Sequence, residues 1–325
     1  QPALDNKPAE TPAPYVIDGN AVKAHIQKLA SDEMEGRAPG GKGEELATAY
    51  ISDFYKSIGL KTSFQAVPLV GITPTVSPLK FTGKDGVKTL KYLDDFVADS
   101  KRQQASISAN AELVFAGYGV VAPEYQWNDF KDSVKGKIIV VLINDTQVED
   151  QKKFGGKAMT YYGRWTYKFE EAARQGAAGA LIVHETEFAG YPWEVVRGSW
   201  SGEQFDMVRP DNGASNLPIQ GWITRDVAAE LFKSAGRDFD DLKKKALQED
   251  FKPVPLGVRA SLDIKSKMRT VESKNVVGVL EGQTPGEYVI FTSHWDHLGA
   301  GDPVNGDKIY NGAQDNASGT ALMLE

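Results

Sequence analysis

A histidine and an aspartate stand two positions apart, directly after an apolar segment. Ser293-His294-Trp295-Asp296-His297 follows Tyr288-Val-Ile-Phe-Thr292, whose apolar run predicts a buried strand. Polar side chains at the carboxyl end of such a strand lie where α/β folds build their sites. Asp296 can reach the far ring nitrogen of His294 and hold its tautomer, as the partners of metal-binding histidines do. The alternative is a hydrogen-bonded histidine in a surface loop.

A second candidate is one carboxylate surrounded by small residues. Asn311-Gly-Ala-Gln-Asp315-Asn-Ala-Ser-Gly319 precedes an apolar helical pattern. The two oxygens of one carboxylate can bridge two divalent ions roughly 3.5–4 Å apart, as a two-metal hydrolytic site requires. Small neighbours let metals and substrate approach the backbone. The alternative is a helix-capping segment, because Asp-x-x-Ser often precedes a helix.

The elements around these residues predict an α/β fold with a mixed sheet. Asp18 or Asn20 caps a helix that is expected to end near Met34, and a second helix carries an apolar row at i+4 spacing before Gly59. Later elements are a hairpin around Gly83-Lys-Asp-Gly86, buried strands at 112–116, 137–143 and 180–183, helices at 165–175, from Thr224 and at 239–249, and an antiparallel pair formed by 275–280 and 288–292.

Composition excludes several classes of protein. The chain has 325 residues, a net charge of −7 and no cysteine. A negative chain offers no cationic field for nucleic acid, and its apolar runs are far shorter than the roughly 20 residues of a membrane-spanning helix. Because the chain has no cysteine, any metal must bind histidines and carboxylates. Four prolines within residues 1–14 indicate a tether left after processing, so we expect a periplasmic or secreted protein.

The two candidate motifs together resemble the signature of the di-zinc aminopeptidases of metallopeptidase family twenty-eight. His294-Trp-Asp296-His-Leu-Gly is followed, 21 residues after His294, by Asp315-Asn-Ala-Ser-Gly. Leu29-Ala-Ser-Asp-Glu-Met-Glu-Gly-Arg37 is similar to the opening of the family's catalytic domain. Residues 115–183 contain Phe-Ala-Gly-Tyr-Gly-Val, Gly-Lys-Ile-Ile-Val-Val and Ala-Ala-Gly-Ala-Leu-Ile-Val, which are like the protease-associated domain inserted in its larger members.

The resemblance implies a role for each residue of the site. His294 would bind one of two zinc ions, Asp296 would orient His294, and Asp315 would bridge both ions. The family's pattern also needs a glutamate base, a zinc-binding glutamate, an aspartate and a final histidine downstream of the bridging aspartate, and these have no counterpart here. We therefore expect the chain to be part of a longer polypeptide and to be inactive alone. His297 is expected to support its loop.

The resemblance also implies a domain order and an activity. A Pro-rich tail at 1–14 precedes the first part of the catalytic domain at 15–64, an inserted protease-associated domain at 65–262 and the continuing catalytic domain at 263–325. The fold is then an α/β zinc-exopeptidase core with a mixed sheet. The expected activity is zinc-dependent removal of N-terminal residues from a peptide substrate. A related carboxypeptidase, amidohydrolase or glutaminyl cyclase and a non-catalytic binding relative remain as alternatives.

Overall fold

The computed structural model describes residues 15–146, 153–155 and 158–325. The chain divides into two compact units, which we call the terminal unit (Gln1–Ala66 with Ser273–Glu325) and the middle unit (Val67–Glu272). The Pro-rich tail expected at residues 1–14 lies outside the described residues. The assignment of the middle segment as a protease-associated domain stays a prediction.

The secondary structure is a mixture of helices and strands, which confirms the α/β class. The α-helices are α1 (Gly19–Leu29), α2 (Lys42–Ser57), α3 (Trp165–Arg174), α4 (Thr186–Ala189), α5 (Trp193–Ser199), α6 (Arg225–Ser234), α7 (Phe239–Lys245) and α8 (Ser318–Leu324). The strands are β1 (Lys61–Val76), β2 (Lys80–Gly83), β3 (Gly86–Thr89), β4 (Phe96–Asp99), β5 (Ser106–Phe115), β6 (Val121–Ala122), β7 (Trp127–Asn128), β8 (Ile138–Leu142), β9 (Gly179–His184), β10 (Gln204–Met207), β11 (Gln220–Thr224), β12 (Val254–Val279), β13 (Gly299–Val304) and β14 (Asp307–Tyr310). Within the described residues, a helix with the length and apolar character needed to cross a bilayer is not found.

A mixed sheet forms the centre of the middle unit. It has ten described strands, eight of them in the order β10, β1, β12, β5, β8, β9, β11 and β4, with β2 paired to β12 and β3 paired to β2. Strands β5, β8, β9 and β11 run parallel, whereas β12 is antiparallel to β5 and β4 is antiparallel to β11. The buried strands predicted at 112–116, 137–143 and 180–183 are confirmed as parts of β5, β8 and β9. The hairpin predicted around Gly83 is also confirmed, because β2 pairs with β3.

Helices cover both faces of this sheet. Leu231 of α6 and Leu242 of α7 belong to the hydrophobic cluster that contains Val140, whereas Phe169 of α3 belongs to the cluster that contains Val141. Successive residues of a strand point to opposite faces, so these two clusters lie on opposite sides of β8. Both faces are apolar because both are covered, as is typical of parallel strands.

In the terminal unit, three helices share a third hydrophobic cluster. Leu29 of α1, Ile51 of α2 and Leu324 of α8 are buried there with Trp295. The apolar row of the second helix, which consists of Leu46, Tyr50, Phe54 and Ile58, lies at the partly exposed edge of α2, and Ile58 is 54% exposed. The i+4 spacing identified the helix correctly, but the tertiary contacts placed the buried face one position further along.

The first helix ends earlier than predicted. Helix α1 ends at Leu29 rather than near Met34. A longer helix would need the carbonyl oxygens of Leu29 and Ala30 as acceptors for the N–H groups four residues later. Arg37 Nη1 donates to the Leu29 oxygen, and Asn311 Nδ2 donates to the Ala30 oxygen at 3.0 Å. Side chains from outside the helix therefore occupy the acceptors that would have extended it.

The strand predicted at 288–292 is wrong. Residues 275–279 lie in β12, but Tyr288, Val289, Ile290 and Phe291 have no regular secondary structure and are 79–84% exposed. An extended segment becomes a strand only when its backbone groups pair with a neighbour. None of the described strands pairs with this segment, so its apolar composition alone does not produce the expected hairpin.

A lysine amine is buried inside the middle unit. Lys168 of α3 is 1% exposed, and its Nζ donates to the carbonyl oxygens of Tyr118 at 2.6 Å and of Asn144 at 2.7 Å. Burial lowers the pKa of Lys168 to about 7, and the negative charges of Asp129 and Asp145 oppose this change. The amine links the turn after β5 to the loop after β8.

Replacing Lys168 by methionine should reduce the stability of the protein. The variant Lys168→Met leaves two buried carbonyl groups unpaired, and each such group costs roughly 1–3 kcal/mol, so we expect the free energy of unfolding to fall by about 2 kcal/mol or more. Because folding disfavours the charged amine, the wild type gains stability as the pH rises from about 7 to the ordinary lysine pKa of 10.5. Urea unfolding should therefore show a larger difference between the two proteins at high pH.

Lys135→Met is the matched control, because Lys135 is an exposed lysine of the same unit. Its free energy of unfolding should stay within roughly 0.5 kcal/mol of the wild type at both ends of this pH range. A Lys168→Met variant as stable as the control would contradict a stabilising role for the buried amine.

Candidate metal centre

Three segments of the terminal unit meet around His294. The first contains His294 to His297, the second is a wide helical turn at 313–317 that leads into α8, and the third is the turn at 32–37 after α1. Gly312 begins the second segment with a φ of 61°. A Cβ at Gly312 would lie 2.5 Å from both the Asp315 carbonyl oxygen and the His297 ring, so only glycine allows this close approach.

The structure brings the three predicted site residues together. His294 Nε2 lies 3.1 Å from Asp315 Oδ1, and His294 Nδ1 lies 3.2 Å from Asp296 Oδ1. The Asp296 carbonyl oxygen is 3.1 Å from the same Nδ1. All three side chains are between 43% and 70% exposed, so the group is open to ions and ligands from solvent. Each ring nitrogen of His294 therefore faces a different carboxylate.

The capping interpretation of Asp315 is wrong. The N-cap residue of α8 is Ala317, and the side chain that accepts a hydrogen bond from the first turn is that of Asn316, whose Oδ1 accepts from the Gly319 N–H at 3.2 Å. Ser318 Oγ donates instead to the Gln314 carbonyl oxygen at 2.7 Å. Among the described residues, the ion-pair partner of Asp315 is His294. The residue is thus presented for interactions outside its own helix.

The backbone of His294 is held from the side of α8. Thr320 Oγ1 donates to the His294 carbonyl oxygen at 3.1 Å, and Asn316 Nδ2 lies 3.3 Å from the same oxygen. Asn316 Nδ2 also donates to Ser293 Oγ at 2.9 Å. Asn316 immediately follows Asp315 in the chain, so these contacts couple the position of the histidine to that of the second carboxylate.

His297 packs behind the group. Its backbone N–H donates to the Arg37 carbonyl oxygen at 3.3 Å, and its ring lies against Gly312. Burial lowers the pKa of the His297 imidazole, while the negative charge of Asp315 opposes this change. These contacts agree with the supporting role that the sequence suggested for this residue, whose part in metal binding stays unassigned.

Arg37 was missed as a site residue by the sequence analysis. Its side chain is fully buried, and its acceptors among the described residues are backbone carbonyl oxygens around the site. Burial lowers the pKa of this guanidinium, and the negative charges of Asp296 and Asp315 oppose the change. The signals in the sequence were the resemblance of the segment that ends in Arg37 to the opening of a catalytic domain and a Gly- and Pro-rich turn, where an exposed arginine is the ordinary expectation.

The donor types fit a zinc ion. Imidazole nitrogen and carboxylate oxygen bind zinc at about 2.0–2.2 Å, so two ligands of one tetrahedral ion lie about 3.3 Å apart. The 3.1 Å between His294 Nε2 and Asp315 Oδ1 is close to that separation. Among the described residues, no group of three or more histidines, aspartates and glutamates has the geometry to hold a metal. The described residues thus offer two donors, and their metal-binding roles stay a prediction.

Several solved structures are similar to this chain. They include an aminopeptidase from Aneurinibacillus sp. strain AM-1 (18% identity, TM-score 0.45), a zinc aminopeptidase from Bacillus subtilis (17%, 0.41) and a Peptidase M28 precursor from Shewanella amazonensis SB2B (18%, 0.41). The matches cover 94% of this chain but only 57%, 56% and 61% of those chains. The chain therefore spans little more than half the length of these structures.

The sequence comparisons concern a shorter segment. The curated proteins contain no match to the chain. The family model described as Peptidase family M28 matches residues 275–325. This segment contains His294, Asp296 and Asp315, the residues on which the resemblance to that family depends. The resemblance found in the sequence is thereby supported for residues 275–325, the segment that matches this family model.

Proposed function

We propose that this chain provides part of a zinc-dependent aminopeptidase, a hydrolase that removes N-terminal residues from peptides. The observation that carries the proposal is the 3.1 Å approach of His294 Nε2 to Asp315 Oδ1 inside the segment that matches Peptidase family M28. The two residues are 21 positions apart in the sequence and come from different segments. A zinc-binding function accounts for an imidazole and a carboxylate that converge in an exposed position.

Each residue has a distinct task in this proposal. Zinc, when bound, polarises a carbonyl group and activates water near neutral pH. His294 and Asp315 would hold the metal, and Asp315 has a second oxygen with which to bridge to a second ion. With a metal bound, Asp296 would accept a hydrogen bond from Nδ1 of His294, and Nε2 would be the ligand nitrogen.

We also propose that the middle unit is a protease-associated domain inserted into the peptidase domain. Val67–Glu272 forms a compact unit with its own sheet, and the terminal unit is made of the chain on either side of it. This arrangement in the sequence supports the insertion.

The natural gene product that contains this sequence should bind zinc through His294 and Asp315. Equilibrium dialysis of the metal-free protein against zinc measures the affinity directly. We expect His294→Ala and Asp315→Asn to weaken binding by more than about 10-fold, and Asp296→Asn by about 10- to 100-fold, since outer partners of metal ligands contribute this much.

Asp53→Asn serves as the control for the loss of one negative charge. Asp53 lies on α2, its side chain is 76% exposed, and it pairs with Lys56. This variant should bind zinc as the wild type does. Zinc uptake that is equally weak in the wild type and in all variants would contradict the metal site and favour a non-catalytic binding protein.

The natural gene product that contains this sequence should hydrolyse leucine p-nitroanilide and spare its N-acetylated form. Asp315→Asn should lower kcat/KM by about 100-fold or more, because a catalytic metal lowers the activation free energy by several kcal/mol. Chelation should remove the activity, and added zinc should restore it.

A panel of three further substrates separates the alternatives. It contains a peptide with a blocked N-terminus and a free C-terminus, an acylated small amide and a peptide with an N-terminal glutamine. Turnover of only the first would indicate a carboxypeptidase, of only the second an amidohydrolase, and cyclisation of the third a glutaminyl cyclase. Each of these results would contradict the aminopeptidase.

A further inference from the structure

We propose that Arg37 is a positioning residue that holds the segments of His294 and Asp315 at metal-binding separation before a metal arrives. The proposal rests on the proposed zinc site and extends it to a residue far away in the sequence. Arg37 contacts neither carboxylate directly, so it acts through the backbone that carries the site residues.

The guanidinium donates hydrogen bonds to four carbonyl oxygens. Nε donates to Trp295 at 2.7 Å, Nη1 to Asn311 at 2.8 Å and also to Leu29, and Nη2 to Gly312 at 2.9 Å. The acceptors come from three separate stretches of the terminal unit. One side chain thus joins the end of α1, the segment of His294 and the turn before Asp315.

The acceptors lie next to the proposed ligands. Trp295 stands between His294 and Asp296, and Gly312 precedes Asp315 by three residues. Segments without strand pairing have no ladder to fix their backbones, so each hydrogen bond to a buried donor restricts them strongly. A shift of the guanidinium would move both sides of the 3.1 Å contact between His294 and Asp315.

The turn that carries Arg37 is itself fixed. Arg37 has a φ of 52°, and Gly36 has a φ of 66°. A Cβ at Gly36 would lie 2.4 Å from the Gly299 carbonyl oxygen and 2.7 Å from that of Tyr310, so the turn sits directly on the backbone of β13 and β14. The His297 N–H returns a hydrogen bond to the Arg37 carbonyl oxygen. Backbone and side chain of Arg37 therefore both belong to the frame of the site.

The chemistry of the side chain explains why an arginine is needed. A guanidinium has five donors in a planar fork, whereas a lysine ammonium is a single nitrogen on a flexible stem. One nitrogen cannot reach carbonyl groups that Nε, Nη1 and Nη2 contact from different edges. A cation buried among neutral carbonyl groups also gains from nearby negative charge, which Asp296 and Asp315 supply.

The test compares Arg37→Lys with the wild type in two measurements. The first is the zinc dissociation constant, determined with a competing chelator. The second is the nitrogen-15 spectrum of the His294 imidazole in the metal-free protein, assigned with His294→Gln. We expect Arg37→Lys to raise the dissociation constant by about 10- to 100-fold, the range for groups that orient metal ligands, and to change the tautomer signals of His294.

Arg102→Lys is the matched control. Arg102 also donates from Nε to a backbone carbonyl oxygen, that of Asn216 at 2.9 Å, but it belongs to the middle unit. Its zinc affinity and its His294 spectrum should equal those of the wild type. Far-UV circular dichroism establishes that each variant is folded, and a poorly folded Arg37→Lys is measured in trimethylamine N-oxide, which strengthens folding.

The outcomes separate this inference from the proposed function. The positioning role is overturned if the wild type binds zinc tightly and Arg37→Lys has the same zinc affinity and the same His294 signals. A merely structural role would lower the unfolding midpoint and leave the dissociation constant of the folded protein unchanged, which also overturns it. The third outcome is a wild type that does not bind zinc tightly, together with His294 signals that still differ between the wild type and Arg37→Lys. This outcome contradicts the zinc site and supports the positioning role.

Discussion

The carbonyl groups around the candidate metal centre have to find hydrogen-bond donors without the help of a sheet. Buried backbone groups without a partner are costly, and the segments that carry the site residues have no strand partners in the described chain. Arg37 supplies donors from one side, and Thr320 with Asn316 supplies them from the other. The position of His294 is consequently set by side chains that belong to distant parts of the sequence.

The buried positive charge of Arg37 in the terminal unit depends on the residues around the same site. A guanidinium that is removed from water is stable only near negative charge or strong acceptors. Asp296 and Asp315 provide that charge, and both face the imidazole of His294. The buried guanidinium thus lies in the field of two carboxylates that face opposite nitrogens of the His294 ring.

The middle unit also contains a buried cationic side chain, that of Lys168, which joins two loops. Its parallel strands are covered by helices on both faces, and the loops at their carboxyl ends are joined by the amine of Lys168. In both units a long cationic side chain pairs with backbone carbonyl groups of loops. The physical reason is shared, because irregular segments leave acceptors that regular hydrogen-bond ladders would otherwise use.

Local patterns determined much of this protein. Apolar runs and turn residues predicted β5, β8, β9, the β2–β3 hairpin and α3, and the two-residue spacing of His294 and Asp296 predicted their contact, because each depends on neighbours in the chain. Tertiary structure alone decided where α1 ends, which face of α2 is buried, that residues 288–292 form no strand, and that Arg37 reaches carbonyl groups 258 to 275 positions away. Those features depend on partners that become neighbours only after folding, so no local pattern records them.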